Sequence, residues 1–254
     1  MNTLNVKFLE IENRNLAVLN GDYFTIVLEK EKSYEKHFTS FANLVINEGD
    51  VVMDFGANLG YHTITMASFI GNKGKIYSFE PQRIIFQQLN CNVFLNGLDN
   101  VYTYNLAIGE SESEVFIDSP DFHNIMPMYT NIGNTSINTN KMGTMVKQIS
   151  LDSLNLSQVN FIKMDVQGSE LNILKGGKNT ILKYKPFIFI EIEERQLKLF
   201  NVTSEELINY TKQLGYEMYR IFYTESNATD DYICIPIENK TIQLSQYPYT
   251  LVKI

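Results

Sequence analysis

Four acidic residues and one lysine sit in or just after the chain's apolar runs, and chemistry is expected there. Asp54 lies in Val-Val-Met-Asp-Phe (51–55), and Glu80 follows Lys-Ile-Tyr-Ser-Phe (75–79). Asp165 closes Phe-Ile-Lys-Met-Asp (161–165), with Lys163 two positions earlier, and Glu191 closes Phe-Ile-Phe-Ile-Glu (187–191). A charge in an apolar strand costs free energy unless it is paired or used. Residues two apart share a strand face, so Lys163 and Asp165 are expected side by side. Carboxylates so placed can accept hydrogen bonds from hydroxyls, hold an ammonium group or take a hydroxyl proton. They can also bind a hard divalent cation, although Asp165 and Glu191 show no diagnostic ligand spacing. A buried Lys–carboxylate network that fixes the sheet is the other reading of the same pattern.

The turn Asp-Phe-Gly-Ala-Asn-Leu-Gly (54–60) reads as a strand end, a ligand-binding loop and a helix start. Glycine suits a turn that a ligand must approach closely, which singles out Gly56 and Gly60. Asn58 stands between them, and Tyr61 and His62 open the helix, whose N–H groups can meet a carboxylate. Glu80, 26 positions after Asp54, can accept hydrogen bonds from two ribose hydroxyls. A dinucleotide site would want Gly-x-Gly-x-x-Gly, and Asp54 would repel a diphosphate. The same Asp54 would attract the ammonium group of a sulfonium amino acid. The ligand favoured is S-adenosylmethionine. A nicotinamide-linked oxidoreductase is the alternative.

These residues need elements to position them. Residues 16–19 and 23–28 are expected as two strands, joined by Asn-Gly-Asp (20–22) as a hairpin. Residues 33–46 are expected as a helix with Phe38, Phe41, Ala42 and Val45 on one face. From residue 51 strands and helices alternate: strand 51–55, helix 61–70 and strand 75–79. A helix then runs from Pro81 to about residue 96, capped by Gly97, followed by strand 101–106. Asn105 and Ala107 fall at the end of that strand. The pattern weakens over 108–144, where 115–118 is a short strand and 120–140 a long polar loop of the kind that is usually functional or disordered. That loop carries His123, Thr135 and Ser136. Alternation resumes with strand 161–165, helix 169–184, strand 187–192 and helix 204–214, then a closing strand pair at 219–222 and 232–236. Repeated alternation implies an α/β fold, a mostly parallel sheet with helices on both faces. One domain is expected over 1–254, with 1–48 a hairpin-and-helix extension and 49–254 the core.

The net charge of -8 and the lack of any Lys/Arg block argue against a nucleic-acid partner. Cys91 and Cys234 have no metal-ligand spacing and are expected as buried thiols rather than a disulfide. No signal-peptide pattern opens the chain, and its apolar runs are strand-length, so a soluble cytoplasmic protein without a membrane span is expected. Oligomeric state is not legible.

Several motifs in order resemble those of the FkbM-type methyltransferases. They are Asp-Phe-Gly-Ala-Asn-Leu-Gly-Tyr-His-Thr (54–63), Phe-Glu-Pro (79–81), Leu-Asp-Ser-Leu (151–154), Ile-Lys-Met-Asp-Val-Gln-Gly-Ser-Glu-Leu (162–171) and Phe-Ile-Glu (189–191). The resemblance covers about residues 49–193. It implies a class I methyltransferase fold, Rossmann-like, with a seven-stranded sheet that has one antiparallel strand. It also implies O-methylation, often of sugar hydroxyls in glycans or natural products, so a small-molecule or glycan acceptor is expected. Under it Asp54, Gly56, Asn58 and Gly60 cradle the methionine part of the cofactor, with Tyr61 and His62 beside it. Glu80 holds the ribose, and Asn105 and Ala107 lie near the adenine. Asp165 belongs to the catalytic site, Glu191 orients substrate or acts as base, and Lys163 tunes the base or contacts substrate. Gly-Asn-Thr-Ser (133–136) stands where the family has a small Gly/Ser cluster, which places Thr135 and Ser136 near the acceptor. Gln167 stands where the family often has Glu, a departure that removes one acid from the motif. A chain that binds the cofactor but has lost catalysis is the competing reading.

Overall fold

The computed structural model describes residues 4–118, 122, 131–133, 135–138, 141–224, 227–239 and 242–254. His123 lies outside the described residues, as does much of the 120–140 loop.

The N-terminal segment departs from expectation. Strands β1 (Val6–Ile11) and β2 (Arg14–Leu19) form the hairpin, and its two-residue turn places Glu12 and Asn13 at φ 50° and 63°. Two consecutive positive φ values match the twist of the flanking strands. Residues 23–28, expected as a strand, lie instead in helix α1 (Tyr23–Glu31). The deciding residue is Asp22, whose carboxylate accepts the Phe24 N–H at 3.1 Å and caps the helix. The Asn-Gly pair thus turns a strand into a helix rather than into a second strand. Helix α2 (Lys36–Val45) follows, with Phe38, Phe41, Ala42 and Val45 buried as its periodicity demands.

Next come β3 (Val51–Phe55), α3 (Tyr61–Ile70), β4 (Lys75–Phe79), α4 (Arg83–Leu95) and β5 (Val101–Tyr104). Four strands follow, β6 (Ala107–Gly109), β7 (Ser113–Ile117), β8 (Ile137–Asn138) and β9 (Thr144–Ser150). The chain continues through β10 (Phe161–Met164), α5 (Glu170–Gly176), α6 (Lys178–Tyr184), β11 (Phe187–Glu191) and α7 (Glu194–Leu197). It closes with α8 (Ser204–Gln213), β12 (Tyr216–Thr224), β13 (Asn227–Pro236) and β14 (Thr250–Lys253).

The main sheet runs β14-β12-β13-β11-β10-β3-β4-β5. From β11 to β5 all pairs are parallel, and β13 enters antiparallel between β11 and β12. Seven strands therefore have the expected arrangement with one antiparallel member. β14 adds an eighth at the edge, antiparallel to β12. The weak-pattern region, expected to hold one short strand, forms a separate four-stranded sheet, β6-β9-β7-β8. β6 is only three residues long and β7 to β9 are partly exposed, so none carries a long apolar run. The single helix expected over 169–184 is two helices divided at Gly177.

The period-2 alternation of the strands divides the core into two layers. Ile162, Met164, Ile188 and Ile190 face one layer, with Leu171 and Leu207 from α5 and α8. Phe161, Phe189, Val52 and Ile76 face the other, with Phe38 and Phe41 from α2 and Met66 from α3. The N-terminal segment thus covers part of one sheet face. It is also fastened to α4 by Asn92, which is fully buried. The Asn92 side chain accepts the Ala17 N–H at 2.6 Å and donates to the Leu59 and Ala17 carbonyls at 2.8 and 3.2 Å. Cys234 is buried as expected, whereas Cys91 is exposed on the outer face of α4; both are free thiols. Among the described residues no helix is long and apolar enough to cross a membrane.

Candidate active site

The parallel strands open at their C-terminal ends into a cleft, the usual ligand position in an open α/β sheet. One half lies over β4 and β5 and is walled by Phe79, Glu80, Pro81, Leu106, Ala107 and Ile108. The other lies over β10 and β11 and is walled by Tyr34, Glu35, Asp165, Gln167, Glu191 and Glu193. Gly56 and Asn58, after β3, stand between them, and Asn131, Gly133, Thr135 and Ile137 also line the cleft.

The loop after β3 is held by its own backbone. Gly56 and Ala57 donate to the Phe79 carbonyl at 3.1 and 3.0 Å. The Glu80 carboxylate accepts the Asn58 N–H at 2.9 Å and the Gln82 N–H at 2.8 Å. Burial pushes the Glu80 carboxyl up to about 7, against the pull of those two N–H groups. Each oxygen keeps a lone pair for a ligand hydroxyl. Asn105 does not line the cleft. Its amide donates to the Glu80 and Pro81 carbonyls, both at 2.8 Å, and fixes the chain that carries Glu80.

Gly56 is required by the protein itself. At φ 75°, a Cβ there would stand 1.8 Å from the Asp165 carbonyl oxygen, so the turn after β3 touches the end of β10 directly. Gly60, the residue before α3, has φ 92°, the left-handed backbone that favours glycine. Gly60, Tyr61, His62 and Asp54 are absent from the cleft wall. Asp54 is fully buried beneath it, accepting from the Thr63 hydroxyl at 2.6 Å. The Tyr61 hydroxyl reaches Glu12 at 2.9 Å, and His62 Nε2 lies 2.8 Å from the Glu35 carboxylate. Thr135 lines the cleft, and its hydroxyl donates to the Ile132 carbonyl at 3.1 Å; Ser136 is half-buried and does not line it.

Charge concentrates in the β10/β11 half. Lys163 is 2% exposed, and its Nζ lies 3.5 Å from Asp165 and 3.7 Å from Asp54 while donating to the Gly56 carbonyl at 3.3 Å. Burial alone would lower its proton affinity, but the Asp165 and Asp54 carboxylates outweigh burial and hold the ammonium charged. Gln167, at φ 57°, bridges the two strand-end acids. Its amide donates to Asp165 at 2.8 Å and to Glu191 at 3.2 Å, and it accepts from Gln196 at 2.9 Å. An amide joins the carboxylates where a third acid would repel them. Burial, then the charges of Asp165 and Asp231, push Glu191 up to about 10. Asp231 faces Glu191 across the β11–β13 pair and contacts His37 Nε2 at 2.7 Å. His37 Nδ1 meets the Tyr223 hydroxyl at 2.8 Å.

Sequence reading missed Tyr34, Glu35, Glu193 and the His37–Asp231 pair. Each sits at a helix start or at a strand position where one polar residue is unremarkable. Among the described residues no group of three or more His, Cys, Asp or Glu side chains is arranged to hold a metal ion.

Comparison with known proteins agrees with this architecture. The FkbM methyltransferase domain model matches residues 54–218. Over 146 residues the chain is 28% identical to hexuronic acid methyltransferase AglP of Haloferax volcanii, covering 57% of this chain and 56% of that protein. It is 23% identical over 194 residues to 2-O-methyltransferase NoeI of Sinorhizobium fredii, covering 67% of this chain and 74% of that one. The chain therefore spans little more than half the length of the first of these relatives. The crystal structure of methyltransferase FkbM from Methylobacillus flagellatus superposes with a TM-score of 0.51 at 21% identity, covering 74% of this chain and 43% of that one, a likeness of fold. The ordered motifs, the seven-strand arrangement they sit on and the match over most of the core place this chain in the FkbM methyltransferase family.

Proposed function

We propose that this chain transfers the methyl group of S-adenosylmethionine to a sugar hydroxyl. The observation that carries the reading is the divided cleft, with a buried carboxylate and an apolar wall at one end and a bridged pair of strand-end acids at the other. The cofactor's requirements fit the first end. Glu80 offers acceptor lone pairs for ribose hydroxyls, and Leu106, Ala107 and Ile108 offer an apolar wall for adenine. The side chains lining the cleft include Glu35, Glu80, Asp165, Glu191 and Glu193 and neither Lys nor Arg, among the described residues. That set suits a sulfonium and an ammonium group, and opposes a diphosphate, which weakens the nicotinamide alternative. When bound, the cofactor supplies an electrophilic methyl group.

The protein's own work is to align and deprotonate the acceptor. Glu191 keeps its proton at neutral pH, so it serves as a hydrogen-bond donor that orients the acceptor. Asp165 is then the residue to take the hydroxyl proton. Lys163 behind it stabilises the carboxylate, and Gln167 fixes its direction. Support for a sugar as the acceptor comes from the two relatives, whose names specify a hexuronic acid and a 2-O position.

The test is a labelled-methyl transfer assay over a panel of sugars and small phenols, with a thermal-shift titration of S-adenosylmethionine and its demethylated product alongside. Transfer to sugars and stabilisation by both ligands are expected. Stabilisation without transfer, unchanged by Asp165→Ala, would mean a binding scaffold. A response to NADH alone would mean an oxidoreductase.

A further inference from the structure

We infer that the β10/β11 end of the cleft selects uncharged or cationic sugars over anionic ones, and that Glu35, held by His62, sets this preference. The inference rests on the sugar-methyltransferase reading above.

Charge is the first ground. Carboxylates line both halves of the cleft, and residues 84–140, which supply Leu106 to Ile137 of its wall, contain no Lys or Arg. Lys163 lies behind the wall with its charge already shared between Asp165 and Asp54. An acceptor carboxylate entering this end would meet the Glu35, Asp165 and Glu193 carboxylates and, among the described lining residues, no Lys or Arg. Like charges about 5 Å apart in a partly desolvated cleft oppose binding by on the order of tenfold or more.

The geometry of Glu35 is the second ground. It precedes α2 at φ 42° and ψ 59°, in the left-handed region that non-glycine residues avoid, and makes no capping hydrogen bond. Its side chain is turned away from the helix and lines the cleft instead, where His62 Nε2 holds it at 2.8 Å. Burial would favour its neutral form, but the His62 hydrogen bond and charge, with Lys163, hold it down at about 2. On the cleft wall its carboxylate is a poor base and a good acceptor for sugar hydroxyls. His62 is 7% exposed, tilted against Phe38 at 4.2 Å and Tyr34 at 5.8 Å, and stands behind the wall. It acts through Glu35 as a positioning residue.

The experiment uses the full chain, labelled S-adenosylmethionine, and methyl glucoside and methyl glucuronide as matched acceptors. The wild type is expected to favour the glucoside at least tenfold in kcat/KM. Glu35→Gln should narrow that ratio severalfold, Glu35→Asp should largely retain it, and His62→Gln should raise KM for the glucoside more than it lowers kcat. Cofactor-induced thermal shift reports that each variant is folded. Equal use of both acceptors by the wild type, or an unchanged ratio in Glu35→Gln, would overturn the inference while leaving sugar methylation intact. Absence of transfer to either sugar by cofactor-binding protein would overturn the parent reading and the inference with it.

Discussion

The two halves of the cleft are built differently. Over β4 and β5, one carboxylate is clamped by two backbone N–H groups, and the loop beneath it satisfies its own hydrogen bonds. Over β10 and β11, side chains hold other side chains: Lys163 against Asp165, Gln167 across to Glu191, His62 on Glu35. A backbone clamp tolerates little change and suits a ligand that never varies. A side-chain network can be retuned one residue at a time, which suits the variable partner of a group transfer.

The comparison predicts which substitutions separate chemistry from binding. Asp165→Asn should give the largest effect, a loss of transfer of roughly 10²–10⁴-fold, the usual contribution of a positioned base. Binding of S-adenosylmethionine, measured by calorimetry, should change little; an equal loss of both would merge the two halves. Gly56→Ala should follow, because its Cβ has no room beside the Asp165 carbonyl and φ is positive there. A fall in Tm of several degrees or more, with both cofactor binding and transfer reduced, would show that this contact joins the halves. Glu80→Gln should mirror Asp165→Asn. Cofactor binding should weaken about tenfold with kcat less affected, since one charge-assisted acceptor is lost.

The last prediction concerns pH and stability. Glu191 has a folded-state pKa raised to about 10 from the ordinary 4.5. Its favourable contribution is complete below about pH 4.5 and is lost as pH rises towards 10. Glu35, held down at about 2, works the other way and loses its contribution only below pH 4.5. Tm should therefore fall between pH 6 and pH 9, and Glu191→Gln should flatten that fall. A wild-type Tm that holds steady across this window would mean that Glu191 is already ionised at neutral pH.

Much of the fold was legible because the strands of the parallel sheet are buried on both faces and read as short apolar runs. The acids that interrupt those runs, Asp54, Asp165 and Glu191, stood out for the same reason. Where neighbours decide, the reading failed. Asp22 made a helix cap of an apparent hairpin turn, and 107–150 built a sheet from strands too short and polar to carry a period. Within the candidate site, Gly56 and Gly60 were recognised, but what demands glycine is the Asp165 carbonyl beside Gly56 and the positive φ of Gly60. Glu35 was invisible, because nothing in one acidic residue before a helix says that its backbone will be left-handed and its carboxylate turned from the cap.

Asn92 has a practical consequence for where this protein can be cut. Its amide is fully buried and spends its hydrogen bonds on Ala17 and on Leu59. Trimming the chain back to the family-matched segment would take Ala17 from that amide and uncover the sheet face that α2 covers. The shortest piece that folds is therefore longer than the shortest piece that aligns.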